Sequence, residues 1–151
     1  MMSRITAVGC LFLAIFVGVQ LKCGESGVPV LPNKVTVQIT NRLSQRYLAV
    51  HCKDKNTDLG EHQINVGETY SFQFFPKFFF PSTLYFCHFT WLEENHYFDI
   101  YDQDRDGYCG NNICTWDILT TGPCRSDKDP RLCYGWNPPS AVQQSNNTLL
   151  V

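Results

Sequence analysis

The residues with the clearest chemistry are six cysteines, Cys52, Cys87, Cys109, Cys114, Cys124 and Cys133, and that chemistry is oxidation to disulfides. An even set suits an oxidising compartment, where a leftover thiol would be a reactive liability. The spacings lack the CxxC pairs that zinc modules use, which argues against a reduced zinc site. A cysteine nucleophile would have to stay reduced, and thiols in an oxidising space are consumed in bridges. Several connectivities are possible, and the sequence does not choose among them.

Two other constellations invite a chemical reading. Asp102-Gln103-Asp104-Arg105-Asp106-Gly107 matches the first half of a calcium loop, with three alternating carboxylates and a glycine that turns the chain. The bidentate glutamate needed at the twelfth position would fall at Ile113, and strands flank the segment where helices are required. We therefore read a solvated connection between strands, with no metal. His51, His62, His88 and His96 could supply a general base and a general acid for phosphodiester cleavage. His51 and His88 each neighbour a cysteine within a strand, where packing or hydrogen bonding is the commoner use. No catalytic residue and no cofactor is assigned. Asn146-Asn147-Thr148 is a glycosylation acceptor at Asn146, in a polar and accessible tail.

The elements that position these residues begin with an export signal. Met1-Met2-Ser3-Arg4 carries one positive charge and precedes an apolar stretch from Ile5 to Val19, short for a membrane span. Small residues at Gly24 and Ser26 suit a cut just after Ser26; a cut after Cys23 is the alternative. Either removes Cys10 and Cys23 and leaves the six. We expect a signal over 1–26, one domain over 27–137 and a flexible polar tail over 138–151. Of the 151 residues about 125 remain, enough to bury a core. The cut takes Lys+Arg from 12 to 10 and Asp+Glu from 14 to 13, so the net charge becomes about −3. A mildly acidic chain offers no basic stripe for nucleic acid and no polybasic surface for anionic lipid.

Period-two alternation predicts short strands. Val35 to Thr40 is the clearest, and Tyr47 to Cys52 follows. Lys53 to Asp58 is a charged turn region. His62 to Val66 and Thr69 to Phe75 flank Gly67-Glu68, a spacer that reads as a hairpin turn, with Tyr70, Phe72 and Phe74 on one face. Leu84 to Trp91 is apolar on both faces, as a central strand would be. His96 to Tyr101, Cys114 to Leu119 and Leu132 to Trp136 complete the set, with no helical stretch. The expectation is an all-β fold, a small antiparallel β-sandwich of about eight strands stapled by three disulfides.

In this order and spacing the residues resemble the plant self-incompatibility S1 proteins, or S-protein homologues, over nearly all the mature chain. The matching residues are Val35 to Asn41 with Leu43, His51-Cys52 leading to Asp58-Leu59-Gly60, Gly67 with Tyr70-Ser71-Phe72, and Phe78-Phe79. Further on come Leu84-Tyr85-Phe86-Cys87, Trp91, Phe98-Asp99-Ile100-Tyr101, Arg105-Asp106, Cys114-Thr115-Trp116 and Gly122-Pro123-Cys124. At Phe80-Pro81-Ser82 the sequence departs from the pattern, which has a glycine and a loop one residue shorter. The resemblance implies small secreted β-sandwich proteins without enzymatic chemistry. The founding members, from poppy stigma, are ligands that a pollen membrane protein recognises.

The expected function is thus a secreted signalling ligand in the apoplast, recognised by a cell-surface receptor, with pollen–pistil recognition as one setting. Its partner is a receptor protein, with no nucleic acid and no membrane insertion, and the chain acts as a monomer. A rigid sandwich displays loops at little cost to its core. The candidate contacts are Lys53, Asp54, Lys55 and Asp58, then Glu93 and Glu94 in a Glu93 to His96 loop, then Asp102, Asp104 and Arg105 within Asp102 to Asn112. The alternative is an apoplastic carbohydrate-binding or defence module stacking sugars on Trp91 or Trp136. Exposed aromatics on one loop face would favour it, and charged loops would favour the receptor ligand.

Overall fold

Alternating burial makes the first strand: Val35, Val37 and Ile39 of β1 (Val35–Asn41) are fully buried, and Thr36 and Gln38 between them only partly so. The computed structural model describes residues 33–44, 47–77 and 82–139, all within one unit. They form β2 (Leu48–Lys53), β3 (Asp58–Ile64), β4 (Thr69–Phe74), β5 (Leu84–Trp91), β6 (Glu94–Asp102), a single helical turn α1 (Gln103–Asp106), β7 (Ile113–Leu119), β8 (Gly122–Arg125) and β9 (Leu132–Cys133). The signal stretch, Phe78 to Pro81, most of the tail and Asn146 lie outside the described residues, and with them the expectations placed there. Among the described residues no helix is long and apolar enough to cross a membrane.

The strands make two sheets. One runs β4-β1-β7-β8-β9 and the other β3-β2-β5-β6. Every pair is antiparallel except β1 with β7, which run parallel from Thr36↔Ile113 to Asn41↔Ile118. The fold is all-β and disulfide-stabilised, with β5 central to its sheet. Aromatic rings fill the space between the sheets: Phe74 lies 4.5 Å from Tyr85, Phe72 5.0 Å from Tyr85, and Phe98 meets Trp116 edge-on at 5.3 Å.

The cysteines pair as Cys52–Cys87, Cys109–Cys114 and Cys124–Cys133. The first and third join partners on adjacent strands of one sheet, β2–β5 and β8–β9. The second closes a loop onto β7. None of the three joins one sheet to the other; the sheets meet through their apolar faces, helped by the buried hydrogen bond from Asn41 Nδ2 of β1 to Ile64 O of β3 at 2.9 Å.

Several expectations need correction. Gly67-Glu68 is not a hairpin turn, because β3 and β4 belong to different sheets. The chain crosses between sheets there, with Gly67 at φ 80 donating its N–H to Asn41 O at 2.8 Å. β3 starts at Asp58 rather than His62, since an exposed edge strand needs no apolar alternation there. The charged turn after β2 shrinks to residues 54–57. β6 opens at Glu94, and the Leu132 to Trp136 strand contracts to β9. β8 was not expected at all, because its four residues are buried on both faces and show no alternation. Gly122 is obligatory there: at φ 140, a Cβ would lie 2.0 Å from Tyr134 O. One helical turn, α1, replaces the expected irregular connection after β6.

Candidate recognition loops

Strand registers place the nine candidate contact residues at two opposite ends of the sandwich. Lys53↔Phe86 and Leu84↔Asp102 bring the 54–57 turn and α1 to one end of the β3-β2-β5-β6 sheet. Ala49↔Thr90 and Trp91↔Glu94 put the two-residue Leu92-Glu93 turn at the other. The expected set therefore does not form one surface. Lys53, Asp54, Lys55, Asp58, Asp102, Asp104 and Arg105 share the first end, and Glu93 and Glu94 occupy the second.

Many of the charges at the first end are committed to local structure. Asp54 Oδ1 accepts from the backbone N–H groups of Asn56 and Thr57 at 2.8 and 2.6 Å. Asp58 accepts from Gly60 N–H at 2.8 Å and pairs with His51 Nε2 at 2.6 Å. Those two partners, the Gly60 amide foremost, hold its carboxyl below the usual range. Asp102 caps α1, its Oδ1 accepting from Asp104 N–H at 2.9 Å. Lys55 and Asp104 stay exposed and Lys53 is half-buried.

The Asp102 to Gly107 segment is not simply a solvated connection. The side chain of Asp106 is 1% exposed and accepts from Arg125 Nη1 and Arg105 Nη2, each at 2.7 Å. Arg105 also donates to Asp99 O at 2.7 Å, and its guanidinium lies 5.1 to 5.2 Å from the rings of Phe98, Trp116 and Tyr134. Arg125 covers Trp116 too, at 5.2 Å, and also pairs with Asp127. Burial favours a neutral Asp127, but the hydrogen bond and charge of Arg125 outweigh it and lower the acid's pKa. Burial raises that of Asp99.

The histidines are tied down as well. His51 and His88 are cross-strand partners; His51 engages Asp58, and His88 engages Asn95 and stacks on Tyr97 at 4.4 Å. His62 meets Leu59 O at 2.9 Å and stacks on Tyr70 at 4.0 Å, linking the edges of the two sheets. His96 stacks on both Trp91 and Trp136, 4.9 and 4.7 Å away, the two indoles themselves 5.9 Å apart, and meets Glu94 at 2.9 Å. Trp91 is consequently buried and offers no free face to a sugar, and Trp136 is half-buried.

Sequence reasoning passed over three residues that shape these ends. Gln103 holds the β4–β5 connection through Thr83 N–H at 2.9 Å and Lys77 O at 2.7 Å. Asp117 is 2% exposed and receives Arg42 and Arg131 at 3.0 and 2.8 Å. Leu92 is 69% exposed at φ 48. Only the last has a local signal, a leucine in a two-residue turn where glycine is expected.

Fold and loops together define a class: a small disulfide-stapled all-β protein with charged, exposed strand connections at both ends. Residues 36–136 match the model of the plant self-incompatibility protein S1 family, and the chain belongs to that family. Among similar proteins, S-protein homolog 2 of Arabidopsis thaliana is 44% identical over 113 residues, 70% of each chain. S-protein homolog 5 of the same plant is 37% identical over 136 residues, covering 89% of this chain and 99% of the relative. S-protein homolog 4 is 43% identical over 111 residues, 69% of this chain and 73% of the relative. No solved structure matches significantly.

Proposed function

We propose that this protein is a secreted, non-enzymatic signalling ligand that a cell-surface receptor recognises through its strand connections. The observation that carries the reading is the contrast between scaffold and loops. Six cysteines are paired and the four histidines are engaged in local contacts, whereas Lys55, Glu93 and Asp104 are charged and exposed on connections at the two ends. Such a scaffold can vary its loops without unsettling its core. Membership of the S1 family supports a role in recognition, and pollen–pistil recognition is one setting it would suit. The paired cysteines fit an oxidising extracellular space. The buried faces of Trp91 weaken the carbohydrate alternative. Labelled, fully oxidised protein should bind intact pollen or protoplasts of the source plant saturably, in competition with unlabelled protein, and protease treatment of the cells should abolish binding. Non-saturable binding on every cell type would overturn the reading.

A further inference from the structure

The geometry points to the β5–β6 turn as the recognition tip, one that engages an arginine-bearing, apolar-flanked segment of a partner protein. This rests on the ligand reading above and assigns its contact site. Trp91↔Glu94 closes a turn of only two residues, Leu92 and Glu93. Such turns need positive φ at their first central position, which glycine adopts freely and leucine does not. Leu92 nevertheless sits there at φ 48, and it is 69% exposed. A branched side chain in a left-handed conformation, and in water, gains nothing for the fold, so local strain and apolar exposure coincide at one residue.

The surroundings indicate the chemistry of the occupant. Leu92 borders an open depression of ≈ 630 Å³ lined by Tyr47, Trp91, Leu92, Glu93 and Glu94. Tyr47 is 54% exposed. Glu93 and Glu94 are exposed too, Glu94 meeting His96 with one oxygen. Apolar and aromatic walls with two carboxylates at the rim suit a guanidinium: a planar cation that stacks on rings and bridges carboxylates. Tyr47 is the exposed ring among the lining residues, since Trp91 is 5% exposed, and a neutral sugar stacked on it would leave the rim carboxylates without a countercharge.

The test uses the oxidised protein, isotopically labelled, with three probes: a short Leu-Arg-Leu peptide amide, its citrulline counterpart, and a cello-oligosaccharide. The arginine peptide should shift the Tyr47, Leu92 and Glu93 amide signals saturably, at least tenfold tighter than the citrulline peptide. Leu92→Gly relieves the φ strain and should leave Tm unchanged or higher while weakening the peptide at least tenfold, as should Glu93→Gln. No saturable shift at millimolar peptide overturns the assignment. So does equal binding of the citrulline peptide or the saccharide at these residues, or the discovery that the chain's own tail or a second copy fills the depression. On cells, Leu92→Gly protein that binds as the unaltered protein does sinks this assignment and leaves the ligand reading standing. Unaltered protein that binds no cell sinks the ligand reading, with the peptide titration as an independent measure of the site.

Discussion

Arg125 Nη1 lies 2.7 Å from Asp106 Oδ1, with the two side chains 2% and 1% exposed. The pair fastens α1, and with it the connection between β6 and β7, to β8. Removing Asp106 strips the buried Arg125 of one of its two countercharges and leaves it with Asp127. Asp106→Ala should therefore cost about 2–3 kcal/mol in urea unfolding. It should also raise hydrogen exchange across 103–112. A loss under 1 kcal/mol would show that Asp127 alone satisfies Arg125.

The three disulfides should differ in worth according to the loop each closes. Cys52–Cys87 spans 35 residues, Cys124–Cys133 spans 9 and Cys109–Cys114 spans 5. Chain-constraint entropy puts their contributions at about 4, 3 and 2 kcal/mol in that order. Paired Cys→Ala variants measured by denaturant unfolding should reproduce the ranking. Alkylation of the native protein followed by intact mass should find no free thiol among the six.

Charge changes on the loops should separate into two kinds. Lys55→Glu and Glu93→Lys, at exposed positions, should move stability by no more than about 0.5 kcal/mol. Asp54→Lys removes the acceptor for two backbone N–H groups and should cost about 1 kcal/mol. A core truncation such as Phe86→Ala, at 4% exposure, should cost about 3–5 kcal/mol. Equal effects of Asp54→Lys and Lys55→Glu on urea midpoints would contradict the turn assignment.

Stability should fall in acid. Asp58 and Asp127 have pKa values lowered by the fold, so the unfolded chain binds protons first as pH falls through the carboxylate range near 3.8. Their contribution is full above that range and is lost below it. Asp99, raised by burial, works in the opposite sense. Unfolding free energies between pH 2 and 6 should show a shallower acid limb for Asp127→Asn than for the unaltered protein. An identical limb would rule out Arg125–Asp127 as a source of acid lability.

Where alternation marked a strand, the physics was local. Val35, Val37 and Ile39 must share a face of any extended chain, and in water that face must be covered. The family resemblance, the all-β class and the six paired cysteines were legible for the same reason: residue type and spacing carry them. The loops were legible as loops because Lys55, Glu93 and Asp104 are too polar to bury.

What the tertiary structure decided are relations between residues far apart in the chain. The crossing of β3 to β4 between sheets, the parallel pairing of β1 with β7 and the choice of disulfide partners depend on which strands meet, and a period of two says nothing of neighbours. Asp106 read as a solvated calcium-like carboxylate until Arg125, 19 residues on, buried it. The split of the candidate contacts between two ends followed from registers such as Leu84↔Asp102 and Trp91↔Glu94. Sequence spacing determines which side chains share a face, whereas burial and ion pairing depend on packing between faces, which only the folded chain defines.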